Sequence, residues 1–245
     1  MGGFAGGVPA FDPATLAMTG WYRDYPTFTG TQPWVSANSA GVSGGRTLYH
    51  GASSPTSGNF LNGHQTAAFD GTFNSTNALE GSGEQMQQYI TAAAWSAWAL
   101  VKPTVAAVAS GDPRQDPAVW DDSGASFWCL NYNANGMNLS QVGNAILVTR
   151  TVACSVNNWH LVQAYYDGTN LALRVDSGAW STAPCSPLGN PAWGGATSYL
   201  RLGDSFTGNH IAGQIADFGI SNIALSAQDF DNVRAYVNLR YGLSL

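Results

Sequence analysis

The chain carries one lysine, Lys102, and two glutamates, Glu80 and Glu84, in 245 residues. Charged residues make up 10% of it, against about 25% in an average soluble domain. Eight arginines and the lysine face fifteen acids, for a net charge of −6. No basic face is expected to follow a phosphate backbone, so nucleic-acid binding is not expected. No run of about 18 apolar residues occurs, so no membrane-spanning helix is expected. The longest such stretch, 90–101, is interrupted by Thr91, Ser96 and two tryptophans. Residues 1–8 lack a basic region followed by a sustained apolar one, so no secretory signal is expected there. Gly2 has no Ser or Thr at position 6, and the myristoylation pattern fails. Three cysteines, Cys129, Cys154 and Cys185, are odd in number and widely spaced. They form neither a disulfide framework nor a C-x-x-C zinc or redox motif. Cys129 reads as a small core residue within Phe-Trp-Cys-Leu. A Cys154–Cys185 bridge stays open.

What is abundant is glycine, 29 residues, and aromatic side chains, 12%. The aromatics set the chain apart from disordered sequences of low charge. Short alternating or β-branched stretches stand between clusters of Gly, Asn, Asp, Ser and Pro. This pattern predicts an all-β sandwich, and the length fits one large domain, residues 20–245, behind an N-terminal arm, residues 1–19. Strands are expected near 20–25, 66–70, 95–102, 118–120, 126–132, 145–152, 159–166, 171–176, 199–203 and 211–220, with ordered loops over 36–64. Trp95, Ala97, Ala99 and Val101 share one face of their strand; Ser96, Trp98, Leu100 and Lys102 share the other. Leu171, Leu173 and Val175 predict a buried face, with Ala172, Arg174 and Asp176 wet. Alternation in 211–220 puts Ile211, Gly213, Ile215, Asp217 and Gly219 on one face, and Ala212, Gln214, Ala216, Phe218 and Ile220 on the other.

One helix is expected, over about 226–241. Ser226 is a good N-cap with Asp229 three residues on. Phe230, Val233, Val237 and Tyr241 form an apolar stripe, and Gly242 supplies a left-handed stop.

Several segments together resemble laminin-G-like domains. Ala68-Phe-Asp-Gly-Thr is similar to a strand end of that family, and Ser96-Ala-Trp-Ala-Leu-Val-Lys-Pro to its alternating strand. Asn158-Trp-His-Leu-Val with Tyr166-Asp-Gly-Thr-Asn-Leu-Ala-Leu-Arg-Val-Asp resembles its central hairpin. Gly213-Gln-Ile-Ala-Asp-Phe-Gly-Ile-Ser-Asn-Ile-Ala-Leu-Ser resembles its closing strand and turn into a helix. The Gly-rich stretch from Trp34 to Arg46 is similar to the opening of many bacterial and phage members. The resemblance implies a concanavalin A-like jelly roll of two antiparallel sheets with one short C-terminal helix. It also implies binding of glycans or proteins through loops or a concave face, with polysaccharide hydrolysis in some members.

Hydrolysis needs paired carboxylates, about 5–5.5 Å apart in retaining enzymes. Glu80-Gly-Ser-Gly-Glu84 lacks the strand alternation that places such a pair, and Asp229 and Asp231 suit a helix start. None of His50, His64, His160 or His210 sits in a nucleophile motif, and no His/Cys cluster supports a transition metal. The resemblance leaves calcium as the one ion to consider, with Asp121 and Asp122, beside Asp112 and Asp116, as weak candidates. Otherwise no cofactor is expected. Sugar rings stack on exposed indoles, which makes Trp34, Trp120, Trp180 and Trp193 the candidate ligand-binding residues. Trp95, Trp98 and Trp159 are expected to pack.

The expectation is a non-enzymatic phage virion protein, decorating a capsid or part of a tail fibre. It would be made in a host cytoplasm and bind a surface glycan or a viral coat or tail protein. The alternatives are a carbohydrate-binding module of a bacterial secreted protein and a polysaccharide hydrolase with unusual carboxylates.

Overall fold

Among the described residues, alternating apolar residues along many short segments build sixteen strands: β1 (Met18–Arg23), β2 (Trp34–Val35), β3 (Thr47–His50), β4 (Thr56–Leu61), β5 (His64–Asp70), β6 (Leu79–Glu80), β7 (Trp95–Pro103), β8 (Gln115–Trp120), β9 (Phe127–Asn133), β10 (Gly136–Val142), β11 (Ile146–Val152), β12 (His160–Tyr166), β13 (Asn170–Val175), β14 (Ser181–Pro184), β15 (Arg201–Leu202) and β16 (Ala212–Ser221). One helix, α1 (Ala227–Tyr241), follows them. The structure is a computed structural model that describes residues 11–25, 34–35, 37, 47–50, 56–70, 79–80, 94–104, 115–120, 127–133, 136–142, 146–185, 200–203 and 211–245.

The strands form two antiparallel sheets. One runs β14-β13-β12-β7-β16-β5-β4, with β1 also on β16; the other runs β11-β10-β9-β8-β15-β6-β3-β2. Trp95 of β7, Trp128 of β9 and Tyr166 of β12 meet between them, with ring centroids 5.1 Å and 5.4 Å apart. Buried Ala97, Ala99, Val101, Leu130, Leu139, Leu171 and Leu173 fill the rest of that layer. This is the expected jelly-roll sandwich with one C-terminal helix. No helix among the described residues is long and apolar enough to cross a membrane.

A third layer covers the outer face of the first sheet. The α1 stripe of Phe230, Val233, Val237 and Tyr241 is 0–1% exposed and packs on Trp21, Trp98, Leu100 and Leu161. Ser226 and Asp229 form a reciprocal capping box, and Gly242 closes the helix at φ 66°. Asn62 Nδ2 donates to the Arg240 carbonyl at 2.9 Å, and Asp24 pairs with both Arg240 and His64.

This third layer corrects two expectations. Ala172 and Arg174, expected on a wet face of β13, are both buried, and Arg174 is covered by α1, where it meets Asp231. Strict alternation in β16 also fails. Val101 pairs with Ile215 and Leu100 with Asp217, so Ala216 and Asp217 together oppose one residue. This β-bulge shifts the parity. It lets Ile215, Phe218 and Ile220 all face the inter-sheet core while Ala216 and Asp217 face α1.

The 36–64 stretch, expected as loops, contains β3 and β4. Asn62 and Gly63, at φ 49° and 80°, make a two-residue turn between β4 and β5, a pattern that favours hairpins. Ahead of residue 20, Asp12 caps a 3₁₀ turn at Pro13–Thr15, and Met18 is wholly buried. The three cysteines are free, so Cys154 and Cys185 do not form a bridge. The Asp-Gly turn after Asp70 and residues 1–10 lie outside the described residues.

Candidate functional site

A cleft of about 280 Å³ opens at one end of the helix-covered face, lined by Tyr165, Asp167, Trp180, Ala224, Leu225, Ala227 and Phe230. Three chain segments build it: the end of β12 and its turn, the residue before β14, and the entry to α1. The rings of Trp180 and Tyr165 meet edge-on at 5.0 Å, as do those of Trp180 and Phe230; Tyr165 and Phe230 lie 6.0 Å apart. The Arg174 guanidinium sits 4.7 Å from the centre of the Trp180 ring. Arg174 is itself fixed: Nε donates to Gln163 Oε1 at 2.6 Å and Nη2 to Asp231 Oδ1 at 2.7 Å. Gln163 Nε2 then donates to the Phe230 carbonyl at 2.7 Å, tying the platform to α1.

Asp167 closes the β12–β13 turn. Its Oδ1 accepts from Thr169 N at 2.8 Å, Thr169 Oγ1 at 2.9 Å and Asn170 N at 2.6 Å, and its Oδ2 from Asn170 Nδ2 at 3.2 Å. The slight burial of this carboxyl opposes its charge, but these donors outweigh burial and hold its pKa down at about 2. Burial, then the Asp167 charge, raises the Tyr165 phenol, so its hydroxyl stays protonated. The Tyr165 hydroxyl and the Trp180 indole N–H have no partner among the described residues. The cleft therefore offers an aromatic surface, two donors and one carboxylate oxygen with a lone pair to spare.

No family model matches the chain, and no curated protein matches it. Solved structures do resemble it. A Trypanosoma rangeli sialidase in complex with 2,3-difluoro-KDN aligns over 95% of this chain and 36% of its own, at 12% identity and a TM-score of 0.63. The binding domain of Paraclostridial mosquitocidal protein 1 aligns over 89% of this chain and 52% of its own, at 8% identity and 0.61. The binding domain of Botulinum neurotoxin DC, in complex with SialylT, aligns over 92% and 52%, at 10% identity and 0.61. The chain thus spans about a third of the sialidase and half of each toxin domain. At such identities the shared property is the β-sandwich fold.

Of the four candidate tryptophans, Trp180 lines the cleft. Trp34 does not face solvent. It is 1% exposed, donates from Nε1 to the Arg23 carbonyl at 3.0 Å and packs edge-on against Tyr22 and Tyr25. Buried on all sides, it cannot stack a sugar, and that expectation is corrected. Trp120 lies in β8 with its side chain outside the described part; Trp193, Asp121, Asp122 and Glu84 lie outside it entirely. Among the described residues no group of three His, Cys, Asp or Glu side chains forms a metal site. Tyr165, Asp167 and Phe230 join the site through tertiary packing that local sequence pattern does not reveal. The one local signal was the Asp167-Gly168 turn, which fixes that carboxylate.

A second polar constellation joins Ser155, His160 and Asp176. His160 Nδ1 lies 2.7 Å from Asp176 Oδ2, and Nε2 lies 3.0 Å from Ser155 Oγ and 3.1 Å from the Ser155 carbonyl. These distances match those of a nucleophile, a base and an orienting acid, but the base must begin uncharged. Burial disfavours the imidazolium, yet Asp176 and Cys154 outweigh it and raise the His160 pKa to about 10. The charged ring donates to both Ser155 and Asp176 and closes the turn after β11. Asp176 Oδ1 accepts from Leu161 N at 2.8 Å and completes this clasp.

His160→Ala is expected to destabilise the fold by about 1–3 kcal/mol near neutral pH, the range for hydrogen bonds to charged groups. The folded-state pKa lies above the ordinary histidine value of 6.5. The charge-dependent part of the stability is therefore complete below about pH 6.5 and disappears towards pH 10. Urea unfolding of both proteins at pH 6 and pH 10.5 checks this: the gap should narrow at high pH. A pH-independent gap would show that the ring acts through packing alone.

Proposed function

We propose that this chain is a non-enzymatic glycan-binding jelly roll whose ligand stacks on the half-buried Trp180 and Tyr165 rings, which the buried Phe230 supports from beneath. The observation that carries this reading is the pairing, in one cleft, of the Trp180 and Tyr165 rings with two donors unpartnered among the described residues and with Asp167 Oδ2. Sugar rings present apolar C–H faces and hydroxyl edges, and such a cleft meets both. A similar Botulinum neurotoxin binding domain is held in complex with SialylT, and cell entry of botulinum neurotoxin type C depends on two ganglioside molecules, in keeping with glycan recognition on this fold. Among the described residues Asp167 is the one acid lining the cleft, and glycoside hydrolysis ordinarily needs two. That favours adhesion over cutting.

The test is a glycan array followed by calorimetry on wild type and Trp180→Ala. Loss of the tryptophan anchor should weaken binding about 30-fold or more, the order of 2 kcal/mol expected of a binding hot spot. Thermal melting of both proteins separates loss of the site from loss of the fold. No binding to any glycan, or unchanged binding by the folded variant, would refute the proposal.

The finer placement is a laminin-G-like, concanavalin A-like module on a phage virion. It rests on the sequence resemblance and on the lysine-poor, glycine-rich composition. Immunogold labelling of purified particles tests it, and unlabelled particles would favour a bacterial carbohydrate-binding module instead.

A further inference from the structure

We infer that the Trp180 cleft selects uncharged, hydroxyl-rich sugars and discriminates against acidic ones such as sialylated or sulfated glycans. The inference rests on the glycan-binding reading above and names its ligand class. It begins from the charge around the cleft. Among the described residues no lysine, arginine or histidine lines it, whereas Asp167 does.

A buried cation, Arg174, lies against the Trp180 ring. Its side chain is 8% exposed and already committed to Gln163 and Asp231. It cannot turn to meet a ligand carboxylate without breaking both bonds. The N-terminus of α1 also borders the cleft and carries the positive end of a helix dipole. That end is already answered: Asp229 Oδ2 accepts from Ser226 N at 3.1 Å, and Ser226 Oγ accepts from Asp229 N at 3.1 Å. An acidic sugar entering here would meet Asp167 with no free cation among the described residues to balance it.

Hydroxyls suit the same groups. Asp167 Oδ1 is occupied by three donors, but Oδ2 accepts one bond only, at 3.2 Å. Its spare lone pair takes a sugar O–H. The Trp180 N–H and the Tyr165 O–H donate to ring or hydroxyl oxygens. A cationic ligand fits less well than a neutral one. The three rings touch one another, with centroids 5.0, 5.0 and 6.0 Å apart, so no ammonium group inserts between them as in an aromatic cage.

Matched probes test this. Binding to lactose, 3′-sialyllactose and 3′-sulfolactose, and to cellotetraose against its terminal uronic acid, is measured by calorimetry at low and high salt. Neutral probes are expected to bind about tenfold tighter than their acidic partners at low salt, as a like charge a few ångströms away implies. Added salt should narrow that ratio. Asp167→Asn, which keeps the oxygen needed for the turn, should narrow it too. If the variant misfolds, the salt dependence of the wild type still decides. Acidic probes that bind as tightly as or tighter than neutral ones would overturn the selectivity but leave glycan binding standing. Failure of every probe, with Trp180→Ala making no difference, would remove both.

Discussion

Replacing Asp217 with alanine is expected to destabilise the fold by about 3–5 kcal/mol, the cost of leaving buried polar partners uncompensated. Asp217 is wholly buried between β16 and α1. Its Oδ1 accepts from Trp21 Nε1 at 2.9 Å and Trp98 Nε1 at 3.1 Å, and its Oδ2 from Tyr241 Oη at 3.1 Å. One side chain thus joins β1, β7 and the last turn of the helix. Alanine would strand two indole donors in an apolar layer. Asparagine is different: its amide oxygen still accepts from the indoles, and its NH₂ donates to the Tyr241 oxygen, whose hydrogen is free to go to the Ala216 carbonyl 3.2 Å away. Asp217→Asn should therefore cost about 1 kcal/mol or less, the net worth of a typical hydrogen bond.

The pH profile of this residue gives a second readout. Burial raises its pKa from 3.8 to about 6, against the pull of Trp98, Trp21, Tyr241 and Arg240. The folded state then holds a proton that the unfolded state has released, so stability falls as pH rises through that interval. Wild type should lose stability between about pH 4 and pH 6 relative to Asp217→Asn, which has no proton to lose. Urea midpoints at pH 4, 5, 6 and 7 measure this. Equal stability of the alanine and asparagine variants would mean that the network does not hold the third layer.

The sequence pattern shows most of this architecture, and most of the exceptions have one physical source. The α1 stripe, its Ser226 cap and its Gly242 stop are local signals, and all three appear where expected. The two-faced β7 is also legible, since both of its faces carry apolar side chains. What local pattern cannot show is which layer lies across a given face. Arg174 looks like a surface residue until a helix 53 positions later in the chain covers it. Trp34, in a Gly- and Ser-rich neighbourhood, looks exposed until Tyr22 and Tyr25 close over it. The candidate site follows the same rule. Trp180 was readable as one tryptophan among four, but its significance comes from Tyr165 and Phe230, which tertiary packing brings to it. The bulge in β16 lay out of reach for another reason: a one-residue parity shift leaves no mark on composition.

Gly219→Ala is the second substitution expected to be costly, at about 3 kcal/mol, the upper part of the range for overpacking a core. Gly219 pairs with Trp98 across β16 and β7. An added Cβ would lie 2.3 Å from Cζ2 and 2.4 Å from Cε2 of that indole. Real atoms do not approach so closely, and Trp98 is itself 0% exposed with no room to retreat. The glycine is thus required by a close approach of side chain to backbone, not by its own dihedrals. The methyl group must push the indole outward, and its N–H then leaves Asp217. A compensating change follows from the same geometry. Trp98→Phe removes the six-membered half of the indole that the new methyl strikes, though it also costs one donor to Asp217. In the Gly219→Ala background it should therefore cost much less than in wild type, with a favourable coupling of about 1–2 kcal/mol in a double-mutant cycle. Thermal or urea unfolding of the four proteins measures the coupling. Simple additivity would mean that the strand, not the indole, yields to the extra methyl, and that Trp98 is held less firmly by Asp217 than its hydrogen bond implies.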